Sequence, residues 1–199
     1  KEYDPGADSL HNFVWEESVI PHRYKALPDM FRITRKEGDN GQALLDIDIL
    51  NVKSNFFGYL INTSRLYWRE ETEVPFGDDR EASAAYIKAH PFCIDGEGLQ
   101  PYEIAEQKQN LINKIFTFGY MLHRYKDYAR CWAPMAMDNK IGEEDECNGR
   151  SGKSFFFKTL SFLVNTVKLS GRNPKLMDNP HVFEMVSQFT GILLIDDCD

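Results

Sequence analysis

No run in this 199-residue chain is long and apolar enough to span a bilayer, and its first residues lack the basic-then-apolar pattern of a secretory leader. A cytoplasmic protein with no membrane partner is therefore expected. Cysteine is scarce and scattered: Cys93, Cys131, Cys147 and Cys198 contain no C-x-x-C pair, as suits free thiols in a reducing compartment. Positive charge is also short. Lysine and arginine number 23 against 31 acids, a net charge of −8, so no global basic field draws the chain to nucleic acid. Any such contact must be local or arise through assembly. No internal repeat is visible. Core material is plentiful, at 42% hydrophobic and 13% aromatic, which suits one sizeable core or two small domains and is too much for a disordered chain.

The most informative stretch is Cys147-Asn148-Gly149-Arg150-Ser151-Gly152-Lys153-Ser154, followed directly by Phe155-Phe156-Phe157-Lys158-Thr159-Leu160. It predicts a phosphate-binding loop feeding a helix. Backbone N–H groups can turn onto phosphate oxygens only where side chains are small, and Gly149 and Gly152 supply that freedom. Lys153 is placed to reach the β- and γ-phosphates, Ser154 to hold Mg²⁺, and the helix adds its positive N-terminal dipole. The backbone from Gly149 through Arg150 and Ser151 to Ser154 is expected to wrap the phosphates. In the pattern G-x-x-x-x-G-K-[ST], the first glycine position is Cys147 here.

A second signal stands at the other end of the apolar run Ile192-Leu193-Leu194-Ile195, which stops on Asp196-Asp197. Such a run suits a strand buried on both faces of a parallel sheet, and acids at its carboxyl end lie where open α/β sheets bind ligands. By role, Asp196 holds Mg²⁺ and Asp197 orients or deprotonates the attacking water. Asp199 is a spare candidate. The strand is expected to lie parallel to, and beside, a strand formed by 130–137 just before the loop, with Asp196 within several ångströms of Ser154.

The rest of the chain is read in order. Residues 1–40 predict irregular or short elements, with a solvated basic cluster of Arg32, Arg35 and Lys36. Ile49, Val52, Phe56, Phe57 and Leu60 fall at helical spacing, with Asp46 or Asp48 as cap. Leu66-Tyr67-Trp68 reads as a strand; its run Arg65 to Arg69 has the composition of either a base-stacking surface or a half-buried strand with charged flanks. A short helix from Asp79 to His90 and a long one from Tyr102 to Lys126 follow. The long helix carries an apolar stripe of Ile104, Leu111, Ile115, Phe118 and Leu122. Glu143-Glu144-Asp145-Glu146 predicts an exposed lid. The helix after Lys153 is apolar nearly all round as far as Leu169, so it is expected to be sandwiched. Lys175–Met177 is a possible short strand, and Asn179-Pro180 opens a helix over 181–189.

Taken together, Leu122-His123-Arg124-Tyr125-Lys126-Asp127, Ala136-Met137-Asp138-Asn139-Lys140-Ile141, the loop 148–154 and Leu193-Leu194-Ile195-Asp196-Asp197 resemble the phage- and plasmid-type primase-helicase family, with superfamily 3 helicase character. The resemblance covers residues 100–199 well and 45–99 faintly. It implies an α/β fold: a truncated, AAA+-like P-loop NTPase parallel sheet over 100–199, preceded by a mainly helical α+β accessory region over 1–99. It further implies an enzyme, an ATP-dependent DNA helicase that uses ATP and Mg²⁺, with single-stranded DNA as partner and a homo-hexameric ring as assembly. Lys153 and Asp197 would be catalytic. Because the chain ends on the paired acids, it reads as a piece of a longer protein and is expected not to turn over ATP alone. Two other readings share the loop: a P-loop ATPase driving packaging or partitioning, and a non-catalytic assembly module with a degenerate loop.

Overall fold

The computed structural model describes residues 27–37, 43–122, 129, 131–137, 152–173, 176 and 178–196. They form a mixed α/β protein with the order β1 (Phe31–Glu37), β2 (Ala43–Ile49), α1 (Asn55–Asn62), α2 (Trp68–Thr72), α3 (Arg80–Ala89), α4 (Pro101–Leu122), α5 (Lys153–Leu160), β3 (Thr166–Ser170) and β4 (Ile192–Asp196). Among the described residues the strands make two separate two-stranded sheets, β1–β2 antiparallel and β3–β4 parallel. No described helix is long and apolar enough to cross a membrane. The chain divides into two compact units, one containing the described parts of Lys25–Gly119 and Pro134–Ser151, the other those of Tyr120–Ala133 and Gly152–Asp199.

In the first unit the alternation Leu45-Asp46-Ile47-Asp48-Ile49 decides the local structure. Its period of two makes β2, where helical spacing had predicted the start of a helix, and sends Ile47 into the core. Residues 31–37, in a region expected to hold irregular or short elements, form its partner. Across the ladder Arg32 stands opposite Asp48, and Lys36 donates to Asp46 Oδ2 at 2.5 Å. Lys108 of α4 reaches Asp46 Oδ1 at 2.9 Å. The hydrogen bond from Lys36 and then that from Lys108 hold the Asp46 carboxyl down at about 2. Helix α1 begins only after Ser54, whose hydroxyl accepts from the Phe57 N–H at 3.3 Å, so neither Asp46 nor Asp48 is the cap. Helix α3 begins as predicted, with Asp79 accepting from the Ala82 N–H at 3.0 Å.

Leu66 and Tyr67 form a turn and Trp68 is the first residue of α2, so this stretch is not a strand. The guanidinium of Arg65 binds Glu71 through two N–H groups, one of them Nε to Oε2 at 3.1 Å, and donates to the His90 carbonyl at 3.2 Å. Six residues of extended chain would hold those two side chains roughly 20 Å apart, so this buried pair requires a folded-back helical turn. Tyr86 donates to Glu71 at 3.1 Å, and Gly96 lies so close that an added Cβ would sit 2.2 Å from the Glu71 carboxyl carbon. Helix α4 buries Glu103, Gln107, Leu111 and Ile112. Its inward line therefore starts on polar residues that the apolar stripe did not include. Gln107 makes this possible: Oε1 accepts from the Tyr67 N–H at 3.0 Å and Nε2 donates to the Ile94 carbonyl at 2.8 Å.

In the second unit α5 ends at Leu160, nine residues before the predicted limit of Leu169. Thr159 and Ser161 hydroxyls bond to the carbonyls of Phe156 and Lys158, at 2.5 and 2.7 Å, which competes with further helical turns. The β-branched Thr166 and Val167 then open β3. Phe156, Leu160, Val167 and Ile192 are buried, whereas Phe155, Phe162, Leu193 and Ile195 are exposed. Neither α5 nor β4 is enclosed on all sides, contrary to the sandwiched helix and doubly buried strand expected. The stretch 181–189 makes successive three-residue turns, such as Val182 N–H to Asn179 O at 3.2 Å and Glu184 N–H to His181 O at 3.0 Å, and no helix. Asn179 does cap His181 at 3.0 Å, but Phe183 and Met185 are exposed, so no packed face supports propagation.

Candidate functional site

The site begins with a glycine. Gly152 has φ of +82°, in the left-handed region that side chains disfavour, and stands as the residue preceding α5. This turn sets Lys153 and Ser154 on the first turn of the helix, where the helix dipole favours an anion. Lys153 is half-buried and Ser154 is exposed.

Asp196 is the last residue of β4. Its backbone carbonyl accepts from the Gly171 N–H at 2.7 Å, which anchors the strand end. Its side chain meets α5: the Ser154 hydroxyl donates to Asp196 Oδ1 at 3.3 Å. The structure thus brings together one residue from the loop end and one from the acidic strand end, 42 residues apart in sequence. Of the other predicted site residues, Gly149, Arg150, Ser151 and Asp197 lie outside the described residues. So do Cys147, Glu143–Glu146, Asp199, Lys175, Met177 and His123–Asp127.

The neighbour of β4 is a correction. Residues 131–137 form no strand and are mostly exposed, with Trp132, Met135 and Met137 facing solvent. Pro134 has no N–H to give a ladder, and the Trp132 N–H is taken by the Tyr120 hydroxyl at 3.1 Å. Instead β4 pairs with β3 in the register Thr166 to Ile192 through Ser170 to Asp196. That pairing adds a residue the sequence reading missed. Lys168, on the same face of the sheet as Asp196 and two positions before its partner, donates to Asp196 Oδ2 at 2.5 Å. Its β3 alternation was the available signal, obscured because Leu160, Leu163, Val164 and Val167 also fit a helix.

In the run Arg65–Arg69, Arg65 is buried and occupied by Glu71 and His90, and Trp68 lies 4.3 Å beneath the guanidinium, so these two side chains serve the core of the first unit, whereas Arg69 is exposed.

A hydroxyl and a carboxylate are hard oxygen donors, the kind Mg²⁺ selects. Mg²⁺ commonly takes only one or two protein groups and completes its shell with phosphates and water. The pair Ser154–Asp196 fits that demand. No cluster of three or more His, Cys, Asp or Glu side chains that would cage a metal occurs among the described residues. Comparison of the chain with protein-family models, with curated proteins and with solved structures gave no match.

Proposed function

We propose that this chain is the ATP-binding portion of an AAA+-like P-loop ATPase that drives a DNA helicase of the phage and plasmid primase-helicase kind. The observation that carries the reading is the 3.3 Å contact between Ser154, on the first turn of a helix entered through a left-handed glycine, and Asp196, at the carboxyl end of a parallel strand. The parallel β3–β4 pair, joined by a long crossover, supports the reading, because open α/β sheets are built from such connections. The reading rests on this contact and not on the strand expected before the loop.

In this reading Lys153 binds the β- and γ-phosphates, with backbone N–H groups from Gly149 to Ser154 lining them. Ser154 and Asp196 would hold Mg²⁺, whose charge would stabilise that developing in phosphoryl transfer. Asp197 orients or deprotonates the attacking water. Hydrolysis also needs an arginine aimed at the γ-phosphate, worth about 10³–10⁵ in rate, and a ring of subunits supplies it from the neighbour. With a net charge of −8, DNA contact is local or arises through assembly, and in this reading the protein works in the cytoplasm on single-stranded DNA.

The test is equilibrium binding of a fluorescent ATP analogue with Mg²⁺, comparing the chain with Lys153→Ala, together with single-stranded DNA binding in the presence of nucleotide. Saturable binding weakened at least tenfold by the substitution, with nucleotide-dependent DNA binding, is expected. Nucleotide binding without DNA binding would instead favour a packaging or partitioning ATPase. No nucleotide binding would leave an assembly module whose loop, with Cys147 at the first glycine position, is inert.

A further inference from the structure

Asp196 has a cation beside it already. Among the described residues, its carboxylate oxygens meet donors from two different elements: Oδ1 accepts from Ser154 of α5 at 3.3 Å, and Oδ2 from the Lys168 ammonium of β3 at 2.5 Å. The lysine is not there by a chance swing of a loop. Strand register fixes its Cα two residues along β3 from Ser170, the direct partner of Asp196, and pleating puts both side chains on one face. Resting on the nucleotide reading above, we propose that Lys168 is a built-in countercharge for Asp196 that divalent metal must displace, so that Lys168 sets the Mg²⁺ concentration at which the site loads.

The argument is one of charge and room. Mg²⁺ would bind an Asp196 oxygen at about 2.0–2.1 Å. An ammonium held on the same carboxylate would then lie within a few ångströms of a dication, a repulsion that water screens only in part. One of the two cations must leave the carboxylate. The lysine is the one able to do so, because its side chain is 61% exposed and its head rides on a flexible, four-carbon stem into solvent. Without metal, the same pair neutralises Asp196 and keeps it turned toward Ser154, so the ligands stay assembled. A partly exposed pair of this kind is worth little, within about a fivefold equilibrium factor, which makes it a tunable threshold and not a block.

The experiment measures binding of the fluorescent ATP analogue across a series of free Mg²⁺ concentrations, for the chain and for Lys168→Met, Lys168→Arg and Lys153→Ala. Thermal unfolding of each variant checks the fold. Lys168→Met is expected to lower the Mg²⁺ concentration for half-maximal loading about two- to fivefold, and Lys168→Arg, which keeps the charge, to stay near the parent. If the parent binds nucleotide through Lys153 while Lys168→Met leaves the Mg²⁺ midpoint unchanged or raises it, the countercharge role is wrong and the nucleotide reading survives. A raised midpoint would instead make Lys168 a phosphate contact. If the parent shows no Lys153-dependent binding at any Mg²⁺ concentration, the nucleotide reading falls and takes this proposal with it.

Discussion

Glu71 and Asp196 are surrounded by the same kinds of partner and set in opposite environments. Each carboxylate accepts from a basic side chain and from a hydroxyl: Arg65 and Tyr86 for Glu71, Lys168 and Ser154 for Asp196. In the first unit the ion pair is sealed, with side-chain exposures of 1% for Arg65 and 0% for Glu71, a bidentate geometry, and Gly96 pressed against it. In the second unit the pair stands open, at 61% and 22%. Burial removes the competition from water and ions, so the first cluster can only hold the fold. Exposure leaves the second weak and exchangeable, as the ligand site proposed for it would require. The choice of base follows: Arg supplies a rigid fork for a permanent bond, Lys a hydrated point charge that can let go.

The largest way to sharpen this contrast is to break the sealed pair. Glu71→Gln leaves a buried guanidinium without its countercharge, and about 3–5 kcal/mol of stability should be lost, read from the urea midpoint. A loss below about 1 kcal/mol would show that water reaches this cluster after all. Next in size is Gln107→Leu, which keeps volume but strips partners from the Tyr67 N–H and the Ile94 carbonyl. About 1–3 kcal/mol is expected from the same measurement, and an unchanged midpoint would mean that the backbone finds other partners.

A third test concerns pH in the first unit. Lys114 donates to the Thr63 carbonyl at 2.5 Å, and burial pushes its ammonium down to about 8 from an ordinary 10.5. The unfolded chain therefore binds more protons than the folded one between those values, so this group makes stability rise with pH across about 8 to 10.5 and costs stability below about 8. The difference between the parent and Lys114→Met, measured by urea unfolding at several pH values, should carry that rise. A difference independent of pH would place the amine in water. The smallest stability effect belongs to the open pair. Asp196→Asn should shift the unfolding midpoint by less than about 1 kcal/mol while abolishing Mg²⁺-dependent nucleotide loading. Substantial unfolding would instead make Asp196 a structural residue like Glu71.

Local chemistry carried some elements through to the structure unchanged. Asp79 caps α3 and Pro101 opens α4, because a capping carboxylate and a ring-locked φ act within one turn and need no distant partner. The turn at Gly152, too, depends only on the absence of a side chain. Elsewhere the sequence carried two readings at once. Val167 fits both the helical series Leu160, Leu163, Val164, Val167 and the strand alternation Val167, Leu169, and Leu66 and Tyr67 are strand-type residues that adopt a turn before the helix that Trp68 begins.

Residue types alone singled out Ser154 and Asp196, which the structure brings within 3.3 Å of each other, and showed that the chain has material for a mixed α/β core. They could not say which strand lies beside β4, because pairing is a contest among segments far apart in sequence, settled by which of them can offer a free ladder and a face to bury. Pro134 and the Tyr120 hydroxyl removed 131–137 from that contest, and β3 took the place. From that one outcome came Lys168 at Asp196. The same contest turned Arg65 inward to Glu71, since only a folded core can hold a guanidinium away from water and still satisfy its N–H groups.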